Sequence, residues 1–357
     1  MTTILGSDAF RRRLMTAIGA SALLAFVPQC DDAEQTPCAT PPWRCFDLES
    51  AASCGDAGAA GAAGAAVPST CPDPSEVREC ATSSGWIIKD TPAVQNGTRC
   101  CYEETKLCPG GRPFTVGSVA RTASSVGRSD WSRSLESLEA AVGDAADAAV
   151  IARGWLEDAF AEHASIASFA RFTLDLLALG APSDLVLGAQ RAGLDEVRHA
   201  RLCFGLAARY SGESVGPGAL EIQGALDAPD LGSFAARTVR EGCVGETIAA
   251  LNVAEQARWA TEPALRRALE GVARDEANHA ELAWRAVRWA VAQGNASVRG
   301  AVARAFDEAM RSVAATRSRA EPDLRGHGRL RSVDQDQVKA RALIDVVGPC
   351  AQALLLG

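Results

Sequence analysis

The stretch that decides the fold is Asp195-Glu196-Val197-Arg198-His199, which returns as Asp275-Glu276-Ala277-Asn278-His279. Each is a Glu-x-x-His in a segment of helical periodicity. Residues three apart on a helix point the same way, so each pentad presents a carboxylate and an imidazole on one face. The pentads hold two of the four histidines in the chain. A Glu-x-x-His supplied twice is the raw material of a two-metal site inside a helix bundle.

Outward from the pentads, apolar positions at helical spacing mark four long helices. The first covers about 145–179 and places Trp155, Ala159, Glu162, Ile166, Phe169, Phe172 and Leu176 on one face. It stops at Gly180-Ala181-Pro182, a helix terminator. The second, about 184–210, carries Glu196, His199 and Cys203 on one stripe. A connection with Gly and Pro follows to about 232. The third, about 233–260, aligns Val239, Cys243, Glu246, Ala250 and Val253, and Thr261-Glu262-Pro263 makes a short turn. The fourth, about 264–292, aligns Leu265, Leu269, Val272, Glu276 and His279. Two further helices, about 297–315 and 333–347, lie outside this set, the latter with a Ser332/Gln335 capping box.

The pattern is a twofold repeat: a helix with one inward Glu, a tight turn, then a helix with the pentad. Short turns force antiparallel neighbours, and the longer middle connection permits a crossover. Glu162 lies 19 residues before Ala181 and Glu196 lies 15 after it; Glu246 lies 16 before Glu262 and Glu276 lies 14 after it. The four glutamates therefore sit at similar heights. Glu241 matches less well in height. On a regular α-helix it also faces away from Glu246, so Glu246 is the expected ligand and Glu241 the reserve.

The chain has 357 residues, 47% hydrophobic and only 5% aromatic, rich in the Ala that suits close helix packing. Its net charge of −8 argues against a nucleic-acid partner. Arg11-Arg12-Arg13 followed by the apolar run Leu14 to Val27 reads as a signal segment over residues 1–30. Cys30 fits a lipid-attachment cysteine, the one membrane link expected. The arginines also fit a twin-arginine signal, and a plain cleaved signal is a third reading. Residues 31–115 form a cysteine-rich module interrupted by an Ala/Gly linker at 57–67. Its eight cysteines after Cys30 read as a disulfide framework, with adjacent Cys100 and Cys101 bonded to different partners. Trp86-Ile87-Ile88 reads as strand and Asn96-Gly97 as a hairpin turn. A connecting segment 116–144, the helical region 145–292 and a C-terminal helical extension 293–357 complete the order. Cys203 and Cys243 read as buried apolar residues too far apart to bond, and Cys350 has no evident partner.

The pattern Glu162, Glu196-x-x-His199, Glu246, Glu276-x-x-His279 resembles the ferritin-like superfamily of carboxylate-bridged di-iron and di-manganese proteins. The first pentad also resembles the DExRH signature of di-iron oxygenases and desaturases. The resemblance covers about residues 145–292. It implies a mainly α protein: a four-helix bundle with a long crossover, beside a small disulfide-rich N-terminal module and a C-terminal helical extension. It implies two iron ions, or manganese in their place, held by Glu162, Glu196, His199, Glu246, Glu276 and His279. Four glutamates carry −4 against +4 for two divalent ions, so a buried loaded centre is near neutral. Asp195 and Asp275 each precede a histidine by four residues and are candidates to accept its second N–H. His163 reads as a rim residue and His327 as a loop residue.

The activity implied is oxygen or peroxide chemistry in an exported protein of the cell envelope, with a small oxidant as partner. Several relatives place a tyrosine seven residues after the first glutamate. Phe169 stands there, which disfavours tyrosyl-radical chemistry. No cysteine tetrad follows the bundle, so a rubredoxin-like electron donor is not expected. Two other readings remain open from sequence: a protein that sequesters metal without turnover, and a metal-free structural bundle.

Overall fold

The computed structural model describes residues 6–19, 43–47, 71, 86–88, 94–96, 99–106, 112–116, 119–132, 144–226, 228–311 and 321–356. The chain is mainly helical and divides into two units. One comprises Met1–Phe26, Pro109–Gly117 and Thr122–Gly357; the other comprises Val27–Cys108 and Ser118–Arg121.

In the larger unit, α2 (Ala145–Ala178) starts at Asp144, whose carboxylate accepts the Ala146 N–H at 2.8 Å. It ends at Gly180, where a φ of +69° favours a residue without a side chain. Pro182 then opens α3 (Ser183–Ser211), which runs back along α2. A connection containing the short strand Val215–Pro217 leads to α4. That helix comprises Leu231–Thr238, a π-helical stretch Val239–Glu246, and Thr247–Trp259. Asp230 caps its start by accepting the N–H groups of Gly232 and Ser233. Glu262 caps α5 (Pro263–Gln293), which packs along α4 and also touches α3. Helix α6 (Ala296–Arg311) packs on the start of α4. The C-terminal helix α7 starts at Ser332–Arg341 and continues through a π turn, Ala342–Val347, into Gly348–Leu356. Its start is fixed one residue earlier than the Ser332/Gln335 pattern suggests: Asp334 accepts the backbone N–H of Arg331, while the Ser332 hydroxyl donates to Glu321.

Two apolar clusters fill the unit. One holds Phe169, Ala192, Phe234, Ala277 and Trp284; the other holds Trp155, Ala159, Ala200, Phe204 and Val272. Along α2, α3 and α5 the change from one cluster to the other falls at Glu162, at Glu196 to His199 and at Glu276. The polar residues thus occupy a buried layer between two dry ones.

Of the expected signal segment, residues 6–19 are described. Ser7–Ala17 forms α1, with Phe10 and Leu14 fully buried in the first cluster and Ile18 nearly so. The reason is periodicity: Phe10, Leu14 and Ile18 recur every four residues and make an apolar stripe. Arg13 donates to Glu281 and Asn278, both at 2.6 Å, and Arg11 reaches the Asp345 carbonyl. The run from residue 20 to Cys30 lies outside the described residues. Among the described residues no helix is long and apolar enough to cross a membrane.

In the smaller unit, β4 (Arg99–Lys106) anchors an antiparallel sheet. Strands β1 (Trp43–Asp47), β2 (Trp86–Ile88) and β3 (Val94–Asn96) all pair with it. Asn96 lies opposite Arg99, the register of a tight hairpin at the expected turn. Cys71 and Cys100 form a disulfide. The remaining expected bridges involve cysteine side chains outside the described ones. Cys203, Cys243 and Cys350 are free and buried.

If α1 is part of the core, Phe10→Ala in the full chain should cost about 3–5 kcal/mol of unfolding free energy by denaturant titration. A loss under about 1 kcal/mol would show that the helix is not packed.

Candidate metal centre

All six residues singled out from the sequence converge. Glu162 comes from α2, Glu196 and His199 from α3, Glu246 from α4, and Glu276 and His279 from α5. Their ligand atoms form two groups, each within 4.8 Å: Glu162, Glu196, His199 and Glu276; and Glu196, Glu246, Glu276 and His279. Glu196 and Glu276 belong to both. Side-chain exposure is 0% for Glu196 and Glu246, 1% for Glu276 and 2% for His279, but 12% for Glu162. Solvent therefore approaches from the Glu162 side.

The atoms are close without bonding to one another. His199 Nδ1 lies 3.1 Å from Glu276, 3.7 Å from Glu196 and 3.9 Å from Glu162. His279 Nδ1 lies 3.1 Å from Glu196 and 3.6 Å from Glu276. Yet both Nδ1 atoms, both oxygens of Glu196, Glu246 and Glu276, and Glu162 Oε2 lack a hydrogen-bond partner. Unsatisfied buried polar atoms are rare because each forfeits its hydration. Here they aim at shared points rather than at each other, which is what ligands of a cation do. Oxygen and imidazole donors suit Fe, Mn or Zn better than soft ions.

The outer nitrogens are braced crosswise. His199 Nε2 pairs with Asp275 at 3.2 Å, and His279 Nε2 pairs with Asp195 at 3.3 Å. Each aspartate thus serves the histidine of the other pentad, not its own as the spacing suggested. On α3 and α5, side by side, the residue four positions away on the same helix is farther than the one facing it. Arg198 binds Asp195 and lies 3.8 Å from Asp275, tying the two braces together. These contacts leave Nδ1 of each ring as the metal-facing nitrogen.

Burial, aided by the nearby glutamates, holds Glu162 and Glu246 well above the usual carboxylate range. Burial opposes charge on Glu196 and Glu276 too, but the pull of His199 and His279 wins and lowers both. It likewise disfavours charge on the two imidazoles, yet Asp275 and Asp195 with the central glutamates raise both well above the ordinary histidine value. Without metal, the surroundings therefore favour the charged form of the two imidazoles and of Glu196 and Glu276, and the neutral form of Glu162 and Glu246.

Glu241 is buried but engaged elsewhere. It takes Arg171 Nη2 and the Thr115 hydroxyl at 3.0 Å each, and the Ser168 hydroxyl at 3.3 Å. The reason differs from the one expected. In the π-helical stretch hydrogen bonds run from i to i+5, so residues five apart fall on nearly the same side. Both carboxylates turn inward, and Arg171 claims the earlier one. His163 belongs to neither group and packs against the edge of Trp131, 5.0 Å between ring centres. His327 sits in a 3₁₀ turn, 3.2 Å from the Tyr210 hydroxyl. Phe169 lies edge-on to His279, with ring centres 5.1 Å apart.

One neighbour was not legible in sequence. Arg112, in an irregular segment, lies 3.7 Å from Glu246 and is 1% exposed. Gly110-Gly111-Arg112-Pro113 belongs to no periodic element, so pattern reading had nothing to mark it with. The chain matches no protein-family model, no curated protein and no solved structure.

Removing one brace with Asp195→Ala should weaken metal binding about 10–100-fold in a competition titration. An unchanged affinity would show that the brace does not orient His279. Glu241→Gln should leave metal stoichiometry intact, whereas Glu246→Gln should reduce it; the reverse result would exchange their roles.

Proposed function

We propose that this chain is a ferritin-like, carboxylate-bridged di-metal protein with iron as the working metal and manganese as the alternative. One observation carries the reading: two four-residue ligand groups share Glu196 and Glu276. Glu162 and His199 would hold one ion, Glu246 and His279 the other, and the shared glutamates would bridge them. Sharing of this kind places two ions roughly 3.5–4 Å apart.

Bound iron would supply redox chemistry with oxygen or peroxide. The protein's own contribution is the dry layer around it, the crosswise aspartates that fix both imidazoles, and access limited to the Glu162 edge. That access suits an oxidant of a few atoms better than a bulky substrate. The same enclosure favours a second reading, metal sequestration without turnover. Export to the cell envelope belongs to the proposal as well, and the Cys71–Cys100 disulfide fits an oxidising compartment; a lipid anchor at Cys30 is the alternative in which cleavage before Cys30 removes α1 from the mature protein.

The proton balance gives a test. In the metal-free centre burial raises Glu162 and Glu246, while Asp275, Asp195 and the central glutamates raise His199 and His279 against burial, so each of the four holds its proton to higher pH than the free group does. Two plus two protons make four, and four ionised glutamates balance two divalent ions. Loading should therefore release up to four protons per chain, read with a pH indicator in weak buffer. Release should shrink as pH rises past those raised values, and affinity should fall as pH falls. Two ions per chain should be found, and His199→Ala/His279→Ala should lose them. Rapid oxygen uptake by the Fe(II)-loaded protein supports turnover; stable binding without uptake supports sequestration. Less than one ion per chain contradicts both.

A further inference from the structure

Arg112 is a guanidinium set permanently beside one half of the centre. Its Nε lies 3.7 Å from Glu246 Oε1, and both side chains are essentially sealed from solvent. The group is gripped between aromatic faces, 4.6 Å from the Phe169 ring centre and 4.2 Å from that of Phe172. Its backbone is pinned as well, since the Ser165 hydroxyl donates to the Arg112 carbonyl at 2.8 Å. Gly242 makes the room: a Cβ there would lie 2.6 Å from Arg112 Nη2 and 2.4 Å from Ala283 Cβ. Arg112 Nε and Nη1 have no hydrogen-bond partner, so the approach to Glu246 is electrostatic and loose. Among the described residues, the basic group paired with Glu162 is His199, itself a candidate ligand.

The two histidines can surrender their protons to an incoming ion. A guanidinium cannot, because it stays charged at any pH a protein survives. We infer that Arg112 makes the two ion positions unequal: it competes for Glu246, so the Glu246/His279 position binds its divalent cation more weakly and fills second. This rests on the di-metal reading above. Arg112 is then a positioning residue that sets the order of loading and would let the second ion leave before the first.

The test is a titration of the metal-free full-length protein with Mn(II), following the EPR signal of the free ion. The wild type should take up two ions in steps separated by about tenfold or more, the scale expected for a fixed charge this near one ion's carboxylate ligand. His279→Ala should lose the weak step and keep the tight one; His199→Ala should lose the tight one. Arg112→Met should tighten the second step by about tenfold or more, while Arg112→Lys, which keeps the charge, should preserve the separation. Two ions bound in a single step by the wild type would overturn the inference. So would a second step unchanged in Arg112→Met, or one lost in His199→Ala but not in His279→Ala. Should Arg112→Met fail to fold, the wild-type steps and the two histidine variants still decide. No uptake of Mn(II) by the wild type would instead bring down the di-metal reading itself.

Discussion

Four glutamates share one buried layer of this protein, and the rest of the structure is arranged to make that tolerable. Carboxylates packed this closely cannot all ionise without cations among them. In the metal-free protein His199 and His279 favour the ionised form of Glu196 and Glu276, and burial pushes Glu162 and Glu246 toward the protonated form. Two divalent ions would balance the charge of all four glutamates in their ionised form. The helices serve this requirement. The turns at Gly180 and at Glu262 bring the glutamates to one level, and the apolar clusters on either side exclude water.

Much of this was legible in the sequence because it depends on one helix at a time. The 3.6-residue period put Glu196 with His199 and Glu276 with His279, and counting from the turns found Glu162 and Glu246. Features that depend on how separate segments meet were not legible. The crosswise pairing of Asp195 with His279 and of Asp275 with His199 needs the spacing between α3 and α5. The inward turn of Glu241 needs the π-helical stretch, which periodicity of 3.6 excludes. Arg112 lies in an irregular segment that only the folded chain carries to Glu246. At the N-terminus, composition pointed to a signal, while the recurrence of Phe10, Leu14 and Ile18 also encoded a packed helix.

Arg112 also bears on how the two halves of the centre divide their work. The Glu162/His199 half lies at the edge more open to solvent, and among the described residues no guanidinium is paired with Glu162. The Glu246/His279 half is sealed and shares its carboxylate with a guanidinium. A pseudo-symmetric pair of pentads has thus been placed in an unsymmetric field. Inequality of this kind would let one ion stay as a structural anchor while the other exchanges or changes oxidation state.

The central claim is that Glu196 and Glu276 bridge two ions. Anomalous X-ray diffraction at the iron edge, on crystals loaded with Fe(II) without oxygen, tests it most directly. The account expects two peaks roughly 3.5–4 Å apart, flanked by Glu196 and Glu276, with Nδ1 of His199 on one and Nδ1 of His279 on the other. No peak at these residues, or a single peak bound to one pentad alone, would contradict it.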